Sequence, residues 1–329
     1  MGAGGQISLM YGTRCLCTSA QPDNIQFFVG TASLTEGNRI VALEFRASAS
    51  SNSIVEKARY DVDGEISSIS SLPSAGSSDL LATIGPGIVK VTSFDNGGFE
   101  EVSRYQVEGK PRSVDWGSSK KLAAATSTQV NLLEVNEGAL VQTESIKRDS
   151  IVASRCDPNG SGSRAAIATL DEVSIFDLRK DLSKPSTTLK LKRTLELDFN
   201  PNRSNLLATG GESGQVEVWD LRRGDVPVSK YYGHSHWVRS VRFNPLHDDL
   251  LLSGGTDGVV HLWRDTGITS SDDTVSVFDS VSAYPEHDDC IYGLSWSFSD
   301  EFAFSSVSYD GRFVLNFVPA DIKNEILLS

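Results

Sequence analysis

Cysteine is scarce in this 329-residue chain: Cys15, Cys17, Cys156 and Cys290 are the full set. Four scattered cysteines are too few for the disulfide framework of a small secreted domain. Cys15 and Cys17 are expected to alternate along a strand and point to opposite faces, which argues against a shared metal site. No apolar run approaches the roughly 18 residues that a membrane-spanning helix needs, and the N-terminus lacks the charged-then-apolar order of a secretory signal. With 39% apolar residues the composition is that of a soluble protein, for which the cytoplasm is the default location. Positive charge is also short. Against 43 Asp and Glu there are 30 Lys and Arg, a formal charge of −13. A nucleic-acid backbone calls for a concentrated basic face, so nucleic acid is not an expected partner.

Catalytic signatures are missing as well. The chain has no convincing nucleophile elbow, phosphate-binding glycine loop, paired-carboxylate site or His/Cys metal pattern, so no enzyme activity, cofactor or metal is expected. His234, His236, His247 and His261 fall on different loops and strands. His261, between Val260 and Leu262, is expected to face solvent or a neighbouring sheet. At the N-terminus Gln6 stands where a myristoylation signal has Ser or Thr, and residues 1–5 read as a flexible tail.

What is present is a repeat, written out most fully over residues 233–265. Val238, Val241 and Phe243 suit one strand, residues 250–253 a second and residues 259–263 a third. Asn244-Pro245 and Thr256-Asp257-Gly258 supply the turns between them. Gly-His near the start and Trp near the end of a unit of some 40 residues resembles the WD40 repeat. The resemblance implies a buried relay of His234, Ser253, Asp257 and Trp263, which satisfies four polar groups that each cost about 1–3 kcal/mol when left unpaired. His234 is then architectural.

Leu43, Thr92, Leu133, Phe176, Trp219, Trp263 and Asn316 occupy the same place in successive units, 41 to 53 residues apart. Seven units at this period predict an all-β, seven-bladed WD40 propeller formed by residues 1–329 as one domain, since a closed ring leaves no long sheet edge exposed. The first two units carry neither the Trp nor the Gly-His. In the fifth, Ser213 stands where the sixth has Asp257 and no His precedes it, so that blade is expected to rest on apolar packing. In the seventh, His287, Ser306 and Asp310 fit the relay but Asn316 replaces the Trp. Residues 264–284 form a long, partly mobile connection between blades 6 and 7, expected to hold the fourth strand at residues 274–278. Either residues 6–10 or residues 325–328 could close the ring.

A propeller without chemistry works through its faces, where loops vary on a rigid scaffold. Ser235, Trp237 and Arg239 follow the relay His, while Thr256 and Tyr309 precede the relay Asp of their blades; these five are the candidate partner-binding residues. The stretches Ser235-His236-Trp237-Val238, His247-Asp248-Asp249-Leu250, Glu286-His287-Asp288-Asp289 and Ser308-Tyr309-Asp310-Gly311-Arg312 are similar to those of the EARP and GARP complex-interacting protein family. The likeness covers roughly residues 230–328 and is thinner before them. It implies an adaptor of the endosome-associated recycling and Golgi-associated retrograde tethering complexes, held at endosomes and the trans-Golgi network only through them; the propeller itself is expected to be cytoplasmic and monomeric. A second resemblance rests on Phe176-Asp177-Leu178-Arg179 and Trp219-Asp220-Leu221-Arg222. These are similar to the Trp-Asp-x-Arg box of cullin-RING ligase substrate receptors, which implies ligase-adaptor contacts at Arg179 and Arg222.

Overall fold

Alternating apolar and polar residues, punctuated every few positions by Gly, Asn, Asp or Pro, give short strands and tight turns almost throughout. In the computed structural model, which describes residues 4–9, 11–33, 37–48, 52–73, 78–117, 121–159, 162–224, 226–265, 276–278 and 280–328, these strands form seven sheets arranged as a seven-bladed β-propeller. The inner strands are Thr13–Thr18, Ser68–Ser71, Pro111–Trp116, Ile151–Cys156, Thr194–Phe199, Val238–Phe243 and Ile291–Trp296 for blades 1 to 7. Each is followed outwards by antiparallel partners. The seven residues chosen from the sequence as repeat markers all lie on third strands, each paired with an early residue of the second strand, as Trp263 is with Leu251 and Leu43 with Phe27.

Burial follows from stacking. The second strands Leu206–Gly211, Leu250–Gly255 and Ala303–Ser308 are buried along their whole length because blades cover both of their faces, whereas the outer strand Ser53–Val62 has no fully buried residue. Each apolar cluster among the described residues spans two neighbouring blades, and the clusters run around the ring until Leu16 and Phe27 of blade 1 meet Phe313 and Leu315 of blade 7. No blade is self-sufficient, which is why the degenerate first and second units still fold. Close approach between blades also fixes composition. A Cβ on Gly254 would sit 2.6 Å from Cγ2 of Ile291 in the next inner strand, so only glycine fits there.

The ring is closed by the N-terminus. Gly5–Ser8 pairs antiparallel with Arg312–Phe317 and becomes the outermost strand of blade 7. Gly5, assigned to a tail from the sequence, is thus the first residue of a strand, held by main-chain bonds; residues 1–3 lie outside the described set. The other candidate for closure is a helix, Ala320–Leu328. It starts where the Pro319 carbonyl accepts the Lys323 N–H at 3.0 Å, and it lays Ile322 onto the cluster between blades 6 and 7.

The long connection also differs from expectation. The fourth strand of blade 6 is Ser282–Tyr284. Ser276–Phe278, within the stretch assigned to that role, instead adds a fifth, parallel strand to blade 5 beside Ser229–Tyr232. Both are three-residue segments at the end of a Ser- and Asp-rich run, and nothing local distinguishes which of them faces which sheet edge. Thr274 lies outside the described residues.

Candidate functional site

In blade 6 the relay geometry is complete. Trp263 Nε1 donates to Ser253 Oγ at 2.8 Å, His234 Nε2 lies 2.7 Å from the same hydroxyl, and His234 Nδ1 lies 3.1 Å from both Asp257 oxygens. Hydrogen-bond capacity assigns the protons. An indole N–H can only donate and a carboxylate can only accept, so Ser253 donates to Nε2 and His234 carries its proton on Nδ1. Asp257 further accepts from the Ser235 N–H at 2.9 Å, tying the loop before the inner strand to the turn after the second. Burial acts to raise the Asp257 pKa, but His234 and the backbone donors outweigh it and hold the carboxyl below the ordinary value.

Blade 7 repeats the arrangement with His287 Nε2 2.8 Å from Ser306 Oγ and Nδ1 3.1 Å from Asp310. There Asn316 donates to Glu286 at 2.6 Å rather than to the serine. Blade 5 keeps a remnant that the sequence pattern does not reveal: Trp219 Nε1 donates to Thr209 Oγ1 at 3.0 Å. His261 is buried and not solvent-facing; two residues before Trp263 on the same strand, it shares the face that packs toward blade 5. Its ring stacks on Trp263 at 5.1 Å and meets the edge of His234 at 4.6 Å. Burial, then the neighbouring His234, pulls its pKa down to about 4.

The relays hold two loops rigidly beside the inner end of blades 6 and 7, and four of the five surface candidates converge there. Trp237, Arg239, Thr256 and Tyr309 line one open groove of about 480 Å³ with Arg14, His236, Cys290 and Tyr292. Ser235 is not part of it. Trp237 keeps 39% of its surface exposed and Tyr309 45%, and the Tyr309 ring is 6.5 Å from that of Tyr292. Arg179 and Arg222 are elsewhere, just past the third strands of blades 4 and 5. Each makes a two-pronged contact with the carboxylate two residues before it, at 2.9 and 3.0 Å for Arg179 with Asp177 and at 3.0 and 2.6 Å for Arg222 with Asp220.

Sequence reasoning missed a charged lining of the central channel. Arg155 lies 3.7 Å from Asp115 and 3.3 Å from Glu196, and Arg242 lies 3.7 Å from Glu196. Asp115 also accepts the Cys156 N–H of the next blade at 2.9 Å, and Asp198 accepts that of Phe243 at 2.9 Å, so both carboxylates tie blades together. Asp115, Arg155, Asp198 and Arg242 are the fifth residues of four consecutive inner strands. Stacking the repeats on their inner strands, rather than on the Trp of the third, would have exposed this column.

Three of the four cysteines are inert by burial. Cys15 and Cys17 lie in the same cluster between blades 1 and 2, not on opposite faces, because residues two apart on a strand share a side. Burial pushes the Cys15 thiol up to about 12 and raises those of Cys17 and Cys156. Cys290 is the one cysteine that is not buried. At pH 8 one equivalent of thiol in the native protein should therefore react with Ellman's reagent well ahead of the others, though more slowly than a free thiol because burial and then Asp289 raise the Cys290 pKa, and the remaining three should react only in guanidinium. More than one fast thiol would contradict this burial.

Seven blades, the sixth with a closed His–Asp–Ser–Trp relay, define a WD40-type β-propeller. The family model described as EIPR1 beta-propeller matches residues 3–263, and that of the WD domain, G-beta repeat, matches residues 278–315. The chain belongs to the EIPR1 beta-propeller family. It is similar to the EARP-interacting protein homolog of Danio rerio, 50% identical over 48 residues, which is 15% of this chain and 12% of the relative. The EARP and GARP complex-interacting protein 1 of Homo sapiens is 48% identical over 48 residues, with the same shares of 15% and 12%. That of Rattus norvegicus is 33% identical over 123 residues, 31% of this chain and 32% of the relative. The aligned segments thus span between an eighth and a third of the relatives' length.

Proposed function

We propose that the protein is a non-catalytic adaptor that binds the EARP and GARP tethering complexes through the groove at the inner end of blades 6 and 7, and reaches endosomes and the trans-Golgi network through them. Membership of the family supports the partner class. The observation that carries the choice of face is the exposure of Trp237 and Tyr309 on loops held by two relays. A large aromatic on a preorganised loop loses little entropy on docking and is the kind of side chain that dominates binding energy. Among the described residues no helix is long and apolar enough to cross a membrane, which fits attachment through a partner.

Affinity purification of the tagged protein, with partners identified by mass spectrometry, tests this. The wild type should recover tethering-complex subunits, and a folded Trp237→Ala/Tyr309→Ala variant should lose most of that recovery. Wild type without tethering subunits would sink the partner assignment; undiminished recovery by the variant would sink the face. Arg179→Ala/Arg222→Ala should behave as wild type, because each guanidinium is exposed and already held by its own aspartate. Loss of recovery in that variant would move the interface to blades 4 and 5.

A further inference from the structure

In six blades the pairing of the inner strand slips by one residue. The residue left over is Arg14, Arg112, Val152, Leu195, Arg239 or Tyr292, always the second residue of its strand. Ser67 takes the corresponding place in blade 2, where its N–H bonds the Ile84 carbonyl at 2.9 Å immediately before the first paired residue. A bulge turns its extra side chain out of the regular ladder, and all seven of these residues line the central channel. Three are arginines and none is an acid.

Three residues further along, in the inner strands of blades 3 to 6, Asp115, Arg155, Asp198 and Arg242 alternate in sign and balance one another. The bulge ring is not balanced. Arg14 is paired with Glu65. Arg239 lies over the Tyr292 ring at 5.4 Å and Arg14 lies 5.8 Å from the same ring, contacts that ease a cation without neutralising it. Among the described residues Arg112 makes no ion pair, and its buried Nε has no hydrogen-bond partner. Burial, and then repulsion from Arg239 and Arg14, holds its pKa below the usual arginine value. A partly desolvated guanidinium with free donors is costly until an oxyanion supplies the missing bonds, and planar donors suit a carboxylate in two-pronged geometry.

The channel encloses about 120 Å³, room for an acidic side chain and a few waters but not for a folded element. Its mouth is continuous with the aromatic groove, because Arg14, Arg239 and Tyr292 belong to both. We infer that Arg14, Arg112 and Arg239 form an oxyanion site at the channel mouth, which takes the carboxylates of an acidic peptide segment while its flanking apolar side chains lie against Trp237, Tyr292 and Tyr309. Charge and shape select this occupant. On a chain of net charge −13 a locally cationic mouth focuses acidic ligands to one place, and a free small anion would leave the adjoining aromatic wall unused. The site rests on the adaptor reading, since it uses the same face.

Fluorescence anisotropy with a labelled peptide of four glutamates between two leucines tests it. The wild type should bind saturably, and more weakly as salt rises. Arg112→Gln and Arg239→Gln should each weaken binding roughly tenfold or more, the usual loss for a charge-assisted hydrogen bond, and Trp237→Ala/Tyr309→Ala should also weaken it. Arg112→Gln removes a cation without a partner, so its melting temperature should not fall. No saturable binding by wild type, wild-type affinity in both arginine variants, or an equal loss in Arg179→Gln/Arg222→Gln would overturn the site. Displacement by inorganic phosphate with no effect of the aromatic substitutions would overturn the peptide as occupant. Failure here, with recovery of tethering subunits still lost on Trp237→Ala/Tyr309→Ala, strikes the oxyanion site alone; peptide binding without any tethering subunits strikes the adaptor reading alone.

Discussion

Trp263→Ala is expected to destabilise the protein by about 3–5 kcal/mol, the range for deleting a fully buried large aromatic. The Trp263 side chain has no exposed surface, packs against Tyr231 at 5.3 Å and His261 at 5.1 Å, and donates to Ser253. Its far edge is so close to Gly233 that a Cβ there would sit 2.8 Å from the indole, so little slack exists for the blade to collapse into the hole. Trp263→Phe separates the two contributions. It keeps most of the packing but leaves the Ser253 hydroxyl without its donor, and should cost about 1–3 kcal/mol. His234→Ala and Asp257→Ala should fall in the same range of about 1–3 kcal/mol, because each cuts the chain of bonds elsewhere. Since His234 and Trp263 share Ser253, the double variant should lose less than the two single losses combined. Denaturant unfolding of the five variants checks this. A Trp263→Ala curve that overlays wild type would mean the indole is not part of the core, and unchanged curves for His234→Ala and Asp257→Ala would mean the relay contributes nothing to stability.

The residues of that blade were legible in the sequence because their chemistry is fixed and local. A Gly-His, an Asp-Gly turn and a Trp at set spacing rarely coincide outside a blade of this kind, and Gly258 and Gly311 do take the positive φ of 77° that such turns require. Ring closure was not legible. The pairing of Gly5 with Leu315 joins the two ends of the chain, and a four-residue strand carries no signal of its distant partner. Ser276–Phe278 and Ser282–Tyr284 pose the same difficulty at shorter range. The channel arginines were hidden for a different reason. On an isolated alternating strand, Arg155 or Arg242 reads as an ordinary solvent-facing residue, and only closure of seven blades turns those faces inward toward one another.

That convergence gives the second large effect. Arg155→Met is expected to cost about 3–5 kcal/mol at pH 7.5, the range for breaking a buried ion pair by removing one partner. Burial alone would lower the Arg155 pKa, but Glu196, Asp115 and Asp198 more than reverse this, so its charge is held firmly. Without it, those three carboxylates retain only Arg242. Lower pH should relieve the deficit, and the sign follows from proton counting. Burial holds Asp198 up at about 6 against its ordinary 3.8, with Arg242 and Arg155 restraining the rise, and Asp115 is also raised by burial. A carboxyl with a raised folded pKa binds more protons folded than unfolded, so stability falls as pH climbs from about 4 through about 6. Removing Arg155 lifts a restraint on both aspartates and extends that window upward. His261, held at about 4, and His287, also lowered, act the other way, since the unfolded chain takes up protons first as pH falls below about 6.5. Those contributions are common to both proteins and cancel in the difference. The gap between Arg155→Met and wild type should therefore narrow from pH 7.5 to pH 5, and adding Glu196→Gln should narrow it at pH 7.5 by removing one unbalanced charge. Denaturant unfolding of the pair at the two pH values decides it. A deficit that stays constant with pH would mean that lost packing, and not stranded carboxylates, is what the arginine prevents.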